Sequence, residues 1–408
     1  MTRLVIGLCL VGLARAQNFT YRGYLETRLT LYPQAASNDR GRAVSEAVLR
    51  WEASWAPSPA LRLFGSFDAR ADTHRQVERR WQLRWQDRGL ERPAFAVRRL
   101  SASYQRGPLT AELGKRLLRW GRTDILNPTD RFAPRDYLSV VDTDLLGVTA
   151  ARVAFETPST GLELVWAPRF TPSRAPLLNQ RWVVAPEGLP AGVEVRDGGS
   201  RFPGGPQFGA RWTVAGGGFE GALAFYEGFN HLPLIDATIR SLIPLRADFQ
   251  RFYPKLRMYG GDLVIPLPWF LVKAEAGWFT SPAVQADEYV LYVVQVEKTI
   301  RDWVLVGGYA GEAVTDARNT VGFAPDRGLT RAVLGRAAYT IDANRSLAVE
   351  AALRQNGDGA WTRWEYTQAF GQHWRMTGGF AWIRGAPGDF LGQYRRNSHG
   401  SLAFRYSF

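Results

Sequence analysis

The side chains best suited to bond-making chemistry sit near the end of the chain. His399 and Ser401 are two residues apart, so in an extended strand they share a face, and an imidazole there could activate a hydroxyl for acyl transfer. Two features count against that use. The pair has the parity of the charged Arg405, and the chain ends seven residues after Ser401, leaving little room for an orienting Asn or Asp. Asp72 and His74 are the other close acid and imidazole, a combination common by chance. With His231 and His373 they show no metal-ligand spacing. The glycines of "AGGGFEG" (215–221) lack the following Lys-Ser/Thr of a phosphate loop and read as a turn. The expectation is no enzyme, no metal and no cofactor.

A second kind of chemistry lies in "GKRLLRWGRTDILNPTDRFAPRDYL" (114–138), where charges of both signs crowd together: Arg119, Arg122, Asp124, Asp130, Arg131, Arg135 and Asp136. Pro128 and Pro134 stiffen the stretch and the aspartates favour turns, so a compact, ordered loop is expected. Folded into a pore, loop 119–137 would constrict it and present charge to a solute. Held outside, the same residues would pin the loop through their own salt bridges. The choice depends on the elements that carry it.

Composition narrows those elements. The 408 residues carry a net charge of +13, with four lysines against a large excess of arginine, and 15 tryptophans. The basic residues are dispersed and no nucleic-acid-binding motif accompanies them, so nucleic acid is not an expected partner. The start, "MTRLVIGLCLVGLARAQNF", has a basic residue, an apolar run and small residues at 14–16, the pattern of a signal peptide over 1–16. Cys9, the one cysteine, falls inside it. No later run is long and apolar enough for a membrane helix. The nearest, "LVIPLPWFLVKAEAGW", is broken by Pro266, Pro268, Lys273 and Glu275.

Period-two alternation supplies the alternative. In "LRLFGSFDARAD" (61–72) every charge has one parity, and parity in a strand means face. The same holds for Leu25 and Leu29 against Arg22, Glu26 and Arg28, and for Trp51 and Trp55 against Arg50 and Glu52. A charge on a lipid-facing position costs about 2–4 kcal/mol at mid-bilayer, which accounts for the sorting. Turn-prone stretches at 56–60, 107–108, 158–161, 216–218, 266–268, 301–302, 342–344 and 371–372 alternate with long polar ones at 74–95, 119–146, 171–206, 229–254 and 313–329. The expected fold is all-β: a single antiparallel transmembrane barrel over 17–408 of about eighteen strands, sixteen being the alternative, with short periplasmic turns and long outer loops. "EYVLYVVQVEK" (288–298) is apolar on both faces and fixes neither register nor count.

Parity then places Arg22, Arg28, Arg50, Arg62, Asp68, Arg70, Glu275, Glu350, Arg354 and Arg405 on the lumen side. They read either as charges that set selectivity or as a structural salt-bridge lattice. The last strand ends in "SLAFRYSF", with Phe404, Tyr406 and Phe408 facing lipid, the spacing read by the outer-membrane assembly machinery. Expected partners are therefore that machinery, outer-membrane lipid and lipopolysaccharide, and a polar or anionic solute.

Gly114-Lys115, Trp120-Gly121, Asp124 and Pro128-Thr129-Asp130, with the ending "FLGQYRRNSHGSLAFRYSF", resemble motifs of Gram-negative outer-membrane barrels related to the alginate-export porins. The resemblance covers about forty residues and implies an eighteen-stranded channel for an anionic or oligomeric solute. No solute-lining residue carries over from it. A plugged barrel serving an envelope complex as scaffold or adhesin is the rival reading, and a barrel hydrolase the third.

Overall fold

A strand with apolar side chains on one face and charges on the other can cross lipid only if its edges are paired, and a closed cylinder pairs them all. The structure, a computed structural model, describes residues 18–183, 194–242, 245–318 and 324–408. The expected signal segment lies outside the described residues.

Eighteen long strands follow one another: β1 (Phe19–Leu31), β2 (Ala43–Ser58), β3 (Leu61–Asp72), β4 (Phe95–Arg106), β5 (Leu109–Arg116), β6 (Val148–Glu156), β7 (Thr160–Ala167), β8 (Gln207–Gly216) and β9 (Phe219–Phe229) make the first half. The second half is β10 (Lys255–Pro266), β11 (Leu271–Thr280), β12 (Glu288–Ile300), β13 (Trp303–Asp316), β14 (Ala332–Asp342), β15 (Arg345–Arg354), β16 (Gly359–Phe370), β17 (Trp374–Gly385) and β18 (His399–Ser407). Each pairs antiparallel with its neighbours, and β18 returns to β1 from Tyr24↔Ser407 to Leu31↔Gly400. Gly23 and Phe408 complete the seam with two backbone hydrogen bonds of 2.9 and 3.0 Å. Among the described residues this is a closed eighteen-stranded antiparallel barrel, so the sixteen-strand alternative falls.

The faces follow the alternation. Leu25, Leu29, Trp51, Trp55, Leu402, Phe404 and Phe408 are exposed on the outside, while Glu52, Asp68 and Glu275 are buried on the inside. The short turns fall within three residues of those expected from sequence; Gly217 and Gly218, with φ of 59° and 84°, make the two-residue hairpin that only such a pair turns easily. The expected short turns all lie at one rim; the long loops, with the four-residue connection 355–358, lie at the other.

The structure departs from the sequence reading at the long loops. The stretches 171–206 and 229–254 contain a three-stranded sheet of Glu194–Arg201, Leu234–Leu242 and Leu245–Phe252. Most of "FLGQYRRNS" is not strand: Gly392–Asn397 forms a 3₁₀ turn, and β18 starts only at His399. The Gly385-Ala-Pro-Gly388 run and buried Leu391 and Tyr394 turn that loop back over the barrel mouth.

Candidate functional site

The segment joining β5 to β6 runs inside the barrel. Its departure is set by Gly114, whose φ of 129° suits glycine, and where a Cβ would collide with the Leu100 carbonyl of the neighbouring strand. Asp130 then ties the first turn: its Oδ1 accepts from the Trp120 and Gly121 amides, both at 2.6 Å, and Arg119 pairs with its Oδ2 at 3.3 Å. Leu118, Trp120 and Phe132 pack with inward side chains from β6 to β12, among them Val165, Tyr226, Met258, Phe279 and Leu291. Trp120 and Phe132 meet edge to face at 5.3 Å, and both rings need the missing side chain of Gly209, where a Cβ would lie 2.5 Å from each.

One wall carboxylate anchors this segment. Glu275 of β11 accepts the Thr129 amide and hydroxyl at 2.7 and 2.8 Å on Oε1. On Oε2 it accepts the Arg122 amide at 3.0 Å, the Thr123 amide at 3.2 Å and the Thr123 hydroxyl at 2.9 Å. Asp124 adds Lys273 of β11 at 3.2 Å and the side chain of Gln295 of β12. The motif residues at 114, 120–121, 124 and 129–130 thus each fix the inward path. This also explains the doubly apolar β12: Tyr289, Leu291 and Val293 are buried on its inner face, two against the segment's rings and one against the cluster around Val140.

Beyond residue 135 the segment reaches the opposite wall. Asp136 meets Arg92 at 2.9 Å and Arg174 at 2.6 Å. Burial alone would raise its pKa, but the two guanidiniums and the Leu138 amide outweigh that and hold the carboxyl well below the usual carboxylate range. Asp142 bridges Arg28 of β1 at 2.9 Å and Arg363 of β16 at 3.4 Å. Asp144 lies 3.4 Å from Arg70 of β3. The segment therefore spans from β11–β12 to β1–β3 and β16.

Two cavities flank it. The larger, about 350 Å³, lies between residues 139–144 and the wall of β1–β3, and is lined by six arginines against four carboxylates. Those arginines are Arg28, Arg50, Arg70, Arg92, Arg181 and Arg405. The smaller, about 220 Å³, lies under loops 230–232 and 325–329 and mixes apolar side chains such as Ile125, Leu126 and Trp361 with Arg131, Arg135, Asp326, Arg336 and Glu350. Thr143 lines both.

The residues expected from sequence divide among distinct places. Arg28, Arg50, Arg70 and Arg405 line the larger cavity, with Asp68 beneath it pairing Arg50 at 2.7 Å and Arg70 at 3.1 Å. Glu350, Asp124, Asp130, Arg131 and Arg135 line the smaller one. Arg122 instead reaches the wall, on Glu220 and on Asp262 at 3.1 Å. Arg22 pairs Glu52 at 2.9 Å near the short-turn rim, Arg62 is exposed there, and Arg354 ties Asp389 at 3.0 Å at the long-loop rim. Sequence reasoning stopped the loop at 137 and so missed Ser139, Asp142, Thr143 and Asp144, as well as Arg92 and Arg181. The signal was there in "VVDTD" (140–144), acids set between apolar residues, as on an element buried on one side.

Among the described residues no hydrogen bond joins His399 to Ser401, though both line one small cavity with Asp142. His399 hydrogen-bonds the Asn397 carbonyl at 2.8 Å and packs against Tyr32 and Trp182. His74 meets Asp39 at 2.6 Å, not the Asp72 carboxylate, which accepts the His74 amide. Among the described residues no cluster of His, Cys, Asp or Glu could hold a metal ion.

No protein-family model matches the sequence, and no curated protein matches it. Solved structures do match in shape. Acinetobacter baumannii OccAB4 aligns with TM-score 0.57 at 8% identity, over 97% of this chain and 99% of that chain. A BenF-like porin from Pseudomonas fluorescens Pf-5 gives 0.55 at 9%, over 96% and 98%. Pseudomonas aeruginosa OpdQ gives 0.53 at 7%, over 96% and 98%. The fold is that of a Gram-negative outer-membrane porin. At these identities the likeness concerns fold alone, and the kinship with alginate-export porins expected from residues 114–130 is not shown by it.

Proposed function

We propose that this protein is an outer-membrane channel for small polar solutes that favours anions, with the inward segment as its constriction. The observation that carries the reading is the larger cavity: its arginines outnumber its carboxylates, and residues 139–144 close it on one side. Its 350 Å³ would hold roughly a dozen waters, the scale of a small organic anion. Guanidinium groups keep their charge at any working pH and offer paired donors to carboxylate, sulfate or phosphate. On this reading the constriction extends from the expected 119–137 to about Asp144, with Asp124, Asp130, Arg131, Arg135 and Asp136 shaping it, and Arg119 and Arg122 holding it to the wall.

The same reading puts the long loops outside the cell and the start of β1 and the end of β18 at the periplasmic rim, where Phe404, Tyr406 and Phe408 would be read during assembly. The rival, a sealed scaffold or adhesion barrel, draws on the two apolar clusters that pack the segment from both sides. Uptake into liposomes separates them. Swelling should run faster for a small organic anion than for a neutral solute of equal size, and rates equal to protein-free liposomes would sink the channel reading.

A further inference from the structure

The loop joining β3 to β4 extends the lipid-facing wall upward on one side of the barrel. Strand β5 stops at Arg116, leaving the top of β4 without a partner on that side, and Leu83–Arg84 takes the vacant place by pairing in parallel with Phe95 and Ala96. Phe95 lies opposite Ala69, which belongs to the outward parity of β3, so Leu83 beside it continues the outer face. Trp81 packs on Phe95 at 4.9 Å, and Trp85 donates its indole N–H to Thr149 at 3.0 Å. The result is an apolar strip above the β5 wall, with Trp81 73% and Leu83 61% exposed. The loop also seals Lys115, whose ammonium donates at 2.7 Å to both the Trp85 carbonyl and Asp87. The docking is therefore anchored by a buried cation, not only by rings.

The loop sequence "RQVERRWQLRWQDRGLER" puts an arginine at 75, 79, 80, 84 and 88, and a sixth, Arg92, that turns into the lumen onto Asp136. A groove of about 520 Å³ beside the strip is lined by Trp85, Arg84, Arg88 and Arg169 together with Glu91 and Glu78, the latter 3.4 Å from Arg84. Burial first, and the charge of Arg169 second, lower the Arg88 pKa, the sign of two guanidiniums brought close. Arg88 is held in place by the Phe170 carbonyl at 3.0 Å and lies 5.2 Å from the Phe202 ring.

We infer that this groove and strip bind the phosphorylated glucosamine headgroup of lipid A in the outer leaflet, with Arg84, Arg88 and Arg169 on a phosphate and Trp81 and Leu83 among the acyl chains. The inference rests on the barrel lying in the outer membrane, and not on what passes through it. Continuity with the lipid-facing wall makes a lipid the occupant, and the guanidinium excess makes it a phosphorylated one. Arginine suits the role because its planar fork grips a phosphate with two donors at once.

Native mass spectrometry of the detergent-solubilised, full-length barrel tests this with three probes: bisphosphorylated lipid A, the same lipid with its phosphates removed, and inorganic phosphate as competitor. The bisphosphorylated lipid should stay bound, the dephosphorylated one should be retained about ten-fold less, and millimolar phosphate should not displace the lipid. The double variant Arg84→Gln/Arg169→Gln, with folding checked by heat-modifiable gel mobility, should show a similar loss. Equal retention of the two lipids, displacement by phosphate alone, or undiminished retention by the folded variant would each overturn the assignment. The comparison of the two lipids on the unmodified protein stands even if the variant fails to fold.

Discussion

Replacing Glu275 with glutamine should release the inward segment while leaving the barrel intact. In the native protein each carboxylate oxygen is fully used: Oε1 by two donors from Thr129, Oε2 by three from Arg122 and Thr123. Glutamine keeps one oxygen and turns the other into an NH₂ group, which cannot accept. Whichever way the amide is flipped, at least one backbone N–H is left facing another donor, and the bonds to the remaining oxygen lose the carboxylate charge, together equivalent to about two charge-assisted hydrogen bonds. A hydrogen bond to a charged group is worth roughly 1.5 kcal/mol at the low end, so the segment should lose about 3 kcal/mol of docking free energy. That corresponds to about a hundredfold rise in the undocked population. The readout is hydrogen exchange of the peptide covering 119–131, because the amides of Arg122, Thr123 and Thr129 are the ones Glu275 protects. Their exchange should accelerate by about that factor while β11 and β12 stay protected. Exchange at the native rate in a folded Glu275→Gln barrel would refute the view that this carboxylate holds the segment in place.

Other consequences follow from the same geometry. Gly209→Leu should drive Trp120 and Phe132 off the wall, because a Cβ there already meets both rings at 2.5 Å; the checks are conductance noise and protease cleavage within 117–147. Asp142→Asn should strengthen anion preference and Arg50→Ala should weaken it, each by about five-fold in permeability ratio, the effect of one unit charge at about 4 Å in water; reversal potentials under a salt gradient give the sign. His231 sets its two ring nitrogens 2.6 and 2.7 Å from the Thr171 and Arg131 carbonyls; the neutral ring donates to one of them and only the charged ring to both, but burial outweighs that and lowers its pKa from 6.5 to about 4. Its neutral form is thus the one the fold prefers, and this anchor is at full strength above pH 6.5. Acidification from there toward pH 4 should weaken it by up to about 3 kcal/mol. A ring titration followed by NMR should find the low value, and a midpoint near 6.5 would refute it.

Much of the barrel was legible because lipid punishes a misplaced charge. Glu275, Asp68 and Arg405 could be assigned to the lumen by parity alone, and the short turns by their Gly, Pro, Asn and Asp residues. The closing seam followed from the alternating aromatics at 402–408. Contacts made by the inward segment were not legible, since Glu275 and Thr129 are 146 residues apart and no local rule joins them. Yet its location left a trace. A lumen strand should carry polar residues inside, and Met258, Phe279, Tyr289 and Leu291 break that rule where Trp120 and Phe132 cover them. The doubly apolar β12, which obscured the register, was the mark of a filled lumen. The long loops misled most, because polar composition does not distinguish an irregular loop from the sheet built by Glu194–Arg201 and its partners.

The most direct test of the central claim is single-channel recording of the refolded barrel in a planar bilayer, beside a variant lacking residues 120–143. The native protein should give a small, steady, anion-preferring conductance, and the deletion a larger one with weaker preference. Equal conductance in both, or silence in a native barrel shown to be folded, would contradict a constriction built by this segment.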